Sequence, residues 1–258
     1  MEPLISVVVA SYNTEPYLAE SINSIITQTY ENWQIIFVDD CSYDNSIETI
    51  KEIVIKNNIM DKVKLFRHAH NYGYGAALYH AIRKSDGEII AIVDSDDALS
   101  KKTALQIMVD THIKNPDVSM VYSNYESCRG ELSKIFRKVT CTTLKPGETV
   151  LGPCKGGHYS GSHATISHLK TFKKSFYDKT EEVNPLLQKA VDRDITLKLE
   201  EVGPLLHIPD FLYIHRIHPT SISSSFRAKT REEKDRIMNM KFKMYQDAYD
   251  RRNGIKHA

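Results

Sequence analysis

Residues 88–97 read EIIAIVDSDD, an apolar run that ends in three carboxylates within four positions. Such a short, β-branched run is typical of a strand that is buried on both faces. Asp94, Asp96 and Asp97 follow it directly. Because side chains alternate along an extended chain, Asp94 and Asp96 should point to the same side. We therefore expect a strand that delivers an acidic turn to the edge of a sheet.

The same pattern occurs twice nearer the N-terminus. Residues 4–10 (LISVVVA) precede the tripeptide SYN, and residues 34–38 (QIIFV) precede Asp39 and Asp40. Amphipathic helical patterns separate the three runs, which indicates an α/β fold with a mostly parallel sheet flanked by helices. Ligands of such sheets bind at the carboxyl ends of the strands. We expect these three polar strand ends to meet at one edge and to form a binding site.

Composition narrows the class of protein. The chain has 258 residues, a formal net charge of +1 and four cysteines without C-x-x-C spacing. These values predict one large globular domain, no nucleic-acid partner and no zinc site of paired cysteines. No apolar run approaches the roughly 20 residues that span a bilayer, and the N-terminus does not resemble a signal peptide. The expectation is a cytoplasmic protein.

The acidic turn is the first candidate for chemistry. Close carboxylates repel one another, and a hard divalent cation relieves that repulsion. Mg²⁺ takes one or two protein carboxylates and completes its shell with phosphate oxygens and water, so a bound diphosphate would suit the turn. The alternative is a solvated turn that caps the next helix.

Other polar residues leave two interpretations open. Asp39 and Asp40 either accept hydrogen bonds from a ribose or base, or cap a helix. Asp192 and Asp194 offer a general base, or helix N-terminal carboxylates favoured by the dipole. The Gly73–Gly75 stretch lacks the third glycine of the dinucleotide fingerprint and follows the wrong strand, which argues against NAD.

Five stretches, in order along the chain, resemble glycosyltransferase family 2 with its GT-A fold. They are the opening VVVASYNTEPYLAESINSIITQTY, then VDDCSYDNS, NYGYGAA with DGEIIAIVDSDD, AVDRDITLKLEEVG, and LYIHRIHPTSIS. Cys41 replaces the usual glycine, Val191 the usual glutamate and Lys198 the usual arginine. The first 125 residues match closely, and residues 125–185 match poorly.

The resemblance implies roles by position. The nucleotide-sugar site would comprise Ala10, Tyr12, Asp39, Asp40, Asn71, Gly73, Asp94, Ser95 and Arg216, with Arg216 on a phosphate. Mn²⁺ or Mg²⁺ would be bound by Asp96, with Asp97 and His218. Asp192 would be the catalytic base. In the poorly matched middle, His158 and His163 are expected to face the acceptor.

The expected reaction is metal-dependent and inverting, with a sugar moving from a nucleotide-diphosphate donor to a hydroxyl of a glycan or lipid-linked saccharide. UDP is the expected nucleotide, and GDP and dTDP remain open. One alternative is a sugar nucleotidyltransferase, which would need a glycine-rich basic loop where this chain has SYNTE. Another is a catalytically inactive protein that binds a sugar nucleotide or a glycan.

The expected organisation is a single GT-A domain over residues 1–225 and a C-terminal amphipathic, basic helix over residues 226–258. Within the domain, residues 1–125 would bind the donor and residues 126–225 the acceptor. On the C-terminal helix, Met238, Phe242, Tyr245 and Tyr249 share one face. This face could pack on the domain, form a homodimer, or rest on the inner face of an anionic membrane.

Overall fold

The computed structural model describes residues 2–151, 165–221 and 230–255, together with the backbone of residues 154–155 and 158–159. The strands are β1 (Ile5–Ser11), β2 (Trp33–Asp39), β3 (Val63–Arg67), β4 (Ile89–Ile92), β5 (Ala98–Leu99), β6 (Met120–Arg129), β7 (Ile135–Val139), β8 (Cys154–Lys155), β9 (His158–Tyr159), β10 (Lys170–Lys173) and β11 (Leu205–Ile217). The helices are α1 (Glu15–Ile26), α2 (Ser46–Lys56), α3 (Tyr74–Arg83), α4 (Ala104–Lys114), α5 (Lys174–Tyr177), α6 (Val191–Val202) and α7 (Arg231–Arg252), with a 3₁₀ turn at Met60–Lys62.

A nine-stranded sheet forms the centre of the molecule. Its order is β3-β2-β1-β4-β10-β6-β11-β5, with β7 paired to β6, while β8 and β9 form a separate two-stranded sheet. β3, β2, β1 and β4 run parallel. Every residue of β1, β2 and β4 is buried, as their continuous apolar runs predict. The α/β class and the parallel strands that carry the expected site are confirmed.

Helices cover both faces of the sheet. On one face, Val7 and Val9 pack with α1, α2 and α4. On the other, Val8 and Ala10 pack with α3, α6 and α7. Alternate residues of a single strand thus belong to different cores, because successive side chains point to opposite faces.

The second half of the sheet contains a strand that the sequence analysis did not predict. β10 lies antiparallel between β4 and β6, with Lys170 paired to Ile92 on one side and to Tyr122 on the other. Its sequence is KTFK, which does not read as the interior of a sheet. β10 nevertheless places Lys170 at 0% exposure in the middle of the fold.

The C-terminal helix buries a different set of side chains from the predicted face. Met238 is 64% exposed and Phe242 is 44% exposed, whereas Met244 and Ala248 are buried. Two arginines at the end of α7 bind glutamates of α6, with 2.9 Å between Arg251 and Glu201 and 2.6 Å between Arg252 and Glu200. The end of α7 therefore packs on the domain, and part of its basic charge is used there. In the described part of the chain, no helix combines the length and apolarity needed to span a membrane.

Candidate active site

The three polar strand ends meet at one edge of the sheet, as expected. Ser11 is in register with Asp39, and the backbone N–H of Asp40 donates to the Ser11 carbonyl at 2.8 Å. The third strand end joins them through α3, because Tyr74 at the start of this helix donates its hydroxyl to Asp94 at 2.6 Å. The edge is therefore one continuous hydrogen-bonded surface.

Asp40 has a local structural role. Its carboxylate accepts the backbone N–H groups of Tyr72 and Gly73 at 3.0 and 2.7 Å, and it lies 2.7 Å from His68 Nδ1. Gly73 has a φ of +94°, a conformation that glycine adopts readily and L side chains rarely adopt. Asp40 thus fixes the loop that leads to Tyr74, and its contact with a base or ribose stays a prediction.

The other residues expected at the nucleotide surround this loop. Tyr12 is 44% exposed and Asn71 is exposed, whereas Ala10, Asp39 and Ser95 are buried. Asp39 Oδ2 accepts the Ser42 N–H at 3.0 Å, while Oδ1 is buried with no hydrogen-bond partner among the described residues. A buried acceptor without a partner is costly unless a ligand satisfies it.

Asp94 lies in an unusual electrostatic environment. Burial raises its pKa; nearby His168 opposes that shift, and Asp96 adds to it. Burial and the Asp94 charge also raise the pKa of Tyr74 well above its ordinary value, so Tyr74 remains a hydrogen-bond donor. The site therefore keeps a phenol directed at a carboxylate, with a second carboxylate close by.

The metal set expected from the sequence is not assembled as predicted. Asp97 is buried at 1% exposure, and its Oδ1 accepts the Arg216 N–H at 2.7 Å. Burial, followed by the Asp96 and Asp94 charges, raises its pKa well above the ordinary value. Asp97 therefore faces the protein interior, and no cluster of three or more His, Cys, Asp or Glu side chains that could hold a metal occurs in the described residues.

Asp96 and His218 remain as a pair. The distance from Asp96 Oδ2 to His218 Nε2 is 2.9 Å, and His218 Nδ1 lies 3.0 Å from Thr220 Oγ1. Two adjacent ligands of an octahedral ion with bonds of about 2.1 Å lie about 3 Å apart. The Thr220 hydroxyl would orient the imidazole from behind. The donor atoms and their spacing fit a divalent cation that takes its other ligands from phosphate and water.

Arg216 is placed differently from its expected position on a phosphate. Its Nε donates to the Asp96 carbonyl at 2.8 Å and its Nη1 to the Gly130 carbonyl at 2.6 Å. Its Nη2 lies 2.7 Å from Glu20, and the side chain is 3% exposed. The guanidinium thus holds the acidic turn from the protein side.

The predicted base lies on α6 and carries its own counter-ion. Asp192 is 34% exposed, and its Oδ2 lies 3.0 Å from the Lys170 ammonium, which also donates to the Asp192 carbonyl at 3.1 Å. Burial raises the pKa of Asp192, but Lys170, His168 and Arg193 outweigh this effect and hold it below the ordinary value. Asp192 is therefore ionised across the working range of pH.

Asp194, the other candidate base, is buried. It forms a 3.0 Å ion pair with Lys198 and accepts the Asn184 N–H at 3.2 Å. Lys198 also donates to the Glu182 carbonyl at 2.7 Å, and Val191 is 1% exposed in the core. Two of the three departures from the family pattern, Val191 and Lys198, thus lie in packing around the base, and of the two candidate bases only Asp192 reaches the open side.

Sequence reasoning missed His168, Lys170 and Tyr74. His168 and Lys170 lie in the poorly matched middle, where the sequence gives no signal for them. His163 and the side chain of His158 lie outside the described residues, so their expected contact with the acceptor stays a prediction.

The family model described as "Glycosyl transferase family 2" matches residues 6–176. The chain belongs to this family. The glycosyltransferase GlyG of Streptococcus pneumoniae is 37% identical over 231 residues, covering 86% of this chain and 73% of the relative. An uncharacterized glycosyltransferase of Haemophilus influenzae is 36% identical over 146 residues, covering 55% of this chain and 54% of the relative. The chain thus spans about half the length of the Haemophilus relative.

Solved glycosyltransferase structures share the GT-A fold of this family-2 chain. TarS of S. aureus in complex with UDP-GlcNAc has a TM-score of 0.65 at 19% identity, covering 86% of this chain and 61% of TarS. The mannosyltransferase PcManGT of Pyrobaculum calidifontis, in complex with GDP-Man and Mn²⁺, has a TM-score of 0.63 at 17% identity, covering 87% and 60%. The expected fold is confirmed.

Proposed function

We propose that the protein is an inverting glycosyltransferase that moves a sugar from a nucleotide-diphosphate donor to a hydroxyl of a glycan or lipid-linked saccharide. The observation that carries this proposal is the pairing of two unlike carboxylate sites in one family-2 chain. Asp96 faces His218 at 2.9 Å on one side, and Asp192 faces Lys170 at 3.0 Å on the other. The first arrangement suits a cation with a diphosphate, and the second suits a base that stays ionised.

Asp96 and His218 would hold Mn²⁺ or Mg²⁺. Bound there, the ion supplies positive charge to the diphosphate as the leaving group forms. Arg216 keeps the acidic turn in place by binding the Asp96 carbonyl. Residues 1–125 would bind the donor: Tyr12 and Asn71 lie open to the base, Asp39 offers its unpaired oxygen, and Asp94 faces the ribose or the sugar.

Asp192 would act as the general base. The oxygen of the acceptor hydroxyl attacks the anomeric carbon of the donor sugar and forms a bond to it. The bond from that carbon to the phosphate oxygen breaks, the nucleoside diphosphate leaves, and the hydroxyl proton passes to Asp192. Lys170 holds the carboxylate in one orientation during this transfer. Residues 126–225 would bind the acceptor.

UDP is the proposed nucleotide, and GDP and dTDP belong in the same test. TarS is seen with UDP-GlcNAc and PcManGT with GDP-Man. We further propose that the enzyme is cytoplasmic and that α7 contacts either an anionic membrane or a second copy of the chain. The exposed Met238 on α7 supports a contact of that kind.

Isothermal titration of UDP, GDP and dTDP, with and without Mn²⁺, tests the donor site. We expect one nucleotide to bind more tightly with Mn²⁺, and Asp96→Ala to abolish the metal-dependent part. No binding of any nucleotide by the folded wild type, under any metal condition, contradicts the proposal.

A second variant separates donor binding from chemistry. Asp192→Asn removes the base but keeps the shape of the side chain, so it should bind the nucleotide like the wild type. Its rate of sugar transfer should fall by about 10²–10⁴-fold, the usual contribution of general base catalysis. Transfer at the wild-type rate would contradict the role of Asp192.

A further inference from the structure

His168 is a residue with no assigned role at the centre of the candidate site. β10 pairs antiparallel with β4, with Lys170 opposite Ile92 and Thr171 opposite Ala91. His168 lies two residues before β10, and its imidazole faces the Asp94 carboxylate at the end of β4. Lys170 lies two positions further along the same chain and binds Asp192. His168 thus lies between the carboxylate at the end of β4 and the proposed base.

A tyrosine fixes the orientation of the His168 ring. The imidazole stacks on Tyr213, with 4.9 Å between ring centroids and 22° between planes. The Tyr213 hydroxyl in turn accepts the backbone N–H of Asp94 at 3.0 Å. His168 Nδ1 is buried with no hydrogen-bond partner among the described residues. Nε2 is therefore the nitrogen that faces the site.

The contact between Nε2 and Asp94 is incomplete. His168 Nε2 lies 3.6 Å from Asp94 Oδ2, which is beyond a direct hydrogen bond. Asp94 already uses its other oxygen, Oδ1, to accept the Tyr74 hydroxyl. A donor and an acceptor thus face one another with a gap. A single hydroxyl beside the pair can bind both atoms, at about 2.8 Å from each, because a hydroxyl both accepts and donates.

We propose that His168 is a sugar-binding residue, and that His168 Nε2 and Asp94 Oδ2 together hold one hydroxyl of the transferred sugar. This inference rests on the proposed glycosyltransferase function, since the sugar must lie between the acidic turn and the base for transfer to occur. The pair would place the anomeric carbon relative to Asp192 without touching the nucleotide. A contact of this kind affects binding of the sugar nucleotide and leaves binding of the nucleotide alone unchanged.

His168→Phe tests this role, because phenylalanine keeps the stacking on Tyr213 and removes the nitrogen. His207→Phe is the matched control: His207 also stacks on a tyrosine, Tyr122, at 5.2 Å, but hydrogen-bonds Asn124 and Thr143. For both variants and the wild type, titration calorimetry with Mn²⁺ measures the dissociation constants of UDP, GDP and dTDP and of their sugar nucleotides UDP-glucose, UDP-GlcNAc, GDP-mannose and dTDP-glucose. Melting temperatures are recorded alongside.

The wild type should bind one sugar nucleotide more tightly than its nucleotide. His168→Phe should keep the nucleotide affinity within about twofold and lose about tenfold of the affinity for the sugar nucleotide, as expected for one hydrogen bond. His207→Phe should retain both affinities.

Three results overturn the inference. In the first, His168→Phe weakens nucleotide and sugar nucleotide equally, which marks a structural role. In the second, the wild type binds the nucleotide but binds no sugar nucleotide more tightly, or His168→Phe keeps the extra affinity for the sugar nucleotide. The donor site is then supported, and the role of His168 is contradicted. In the third, the wild type binds no nucleotide, and the proposed function fails together with the inference.

Discussion

The carboxylates on the proposed donor side of the site (Asp94 and Asp96) and those on its proposed acceptor side (Asp192 and Asp194) have different partners. On the donor side, Asp94 accepts the neutral Tyr74 hydroxyl, and Asp96 faces the His218 imidazole. On the acceptor side, Asp192 faces Lys170, and Asp194 faces Lys198, each at 3.0 Å. Both lysines are nearly or completely buried. The Asp94 and Asp96 carboxylates are thus held by neutral and imidazole groups, and the Asp192 and Asp194 carboxylates by ammonium groups.

This difference indicates how each side is used. Carboxylates without an ammonium partner gain most from a ligand that brings a cation. A carboxylate that already has a buried ammonium beside it stays ionised without any ligand, and its orientation is fixed before the substrate binds. The donor side is therefore suited to bind charge that arrives with the substrate, and the acceptor side to act on a neutral hydroxyl.

The largest expected effect comes from removing the acceptor-side ammonium at the base. Lys170→Met keeps the bulk of the side chain and leaves Asp192 without its counter-ion. We expect sugar transfer to fall by about 100-fold, the cost of a misplaced catalytic group. Burial then raises the pKa of Asp192 with less to oppose it, so the acid limb of the pH–rate profile moves to higher pH. Steady-state rates measured between pH 4 and 9 check both expectations.

Lys198→Met is the matched control for that variant. It removes an equally short ion pair, at Asp194, and leaves a carboxylate of 7% exposure without its counter-ion. Its unfolding free energy should fall by about 3 kcal/mol. The acid limb of its pH–rate profile should remain at the wild-type position. If both variants shift the acid limb of the pH–rate profile by the same amount, the proposed difference between Lys170 and Lys198 is wrong.

His112 is a buried histidine that belongs to neither side of the site, and we expect it to contribute to the pH dependence of folding stability. His112 Nε2 lies 3.0 Å from Thr171 Oγ1, and burial, followed by the Lys173 charge, lowers the pKa of His112 to about 4. The unfolded state, with a pKa of about 6.5, takes up this proton first as the pH falls. The stability that neutral His112 contributes is therefore fully present above about pH 6.5 and is lost progressively toward pH 4.

The loss from His112 should amount to about 2 kcal/mol between pH 7.5 and pH 5. Urea unfolding of the wild type and of His112→Gln at these two pH values measures it. The wild type should lose about 2 kcal/mol more than the variant over this interval. Equal losses would show that the pKa of His112 is the same in the folded and unfolded states, and the acid sensitivity would then belong to other groups such as His215, whose pKa burial also lowers to about 4.

The donor side could be predicted from the sequence because its signals are local. Apolar runs of strand length end in polar residues, and parallel strands bring those ends together whatever the rest of the chain does. Asp94 and Asp96 were found in this way. Of their partners, His218 was placed beside Asp96 only by the family resemblance, and Tyr74 was not predicted, because both reach the acidic turn from other parts of the chain.

The acceptor side could not be predicted in the same way. β10 reads KTFK, and a lysine gives no sign that it will lie at the centre of a sheet. Lys170 is acceptable there only because Asp192, 22 residues further on, provides a carboxylate. Asp97 shows the opposite case. As a carboxylate in an acidic turn it was expected to be a metal ligand, but it accepts the backbone N–H of Arg216. Partners far apart in sequence decide the role of each charged residue.

The smallest expected effect concerns the backbone of the donor side. Cys41 occupies a left-handed conformation, with φ of +65°, at the position where the family has glycine. For a residue with a Cβ this conformation costs about 1 kcal/mol or more, and glycine adopts it freely. Glycine also makes the unfolded chain more flexible, which offsets part of the gain. Cys41→Gly should therefore stabilise the protein by less than about 1 kcal/mol.

Cys41→Ala separates the backbone from the thiol. Alanine keeps the strained conformation and removes only the weak contact of the thiol with the Ala69 carbonyl at 3.6 Å. In urea unfolding, the glycine variant should be more stable than the alanine variant by about 0.5 kcal/mol. Both should bind the nucleotide like the wild type, because Ser42 and Asp39 keep their hydrogen bond in either variant. An alanine variant as stable as the glycine variant would mean that the loop relaxes around residue 41. The donor side would then be less rigid than its hydrogen bonds imply, and its contrast with the acceptor side would rest on charge alone.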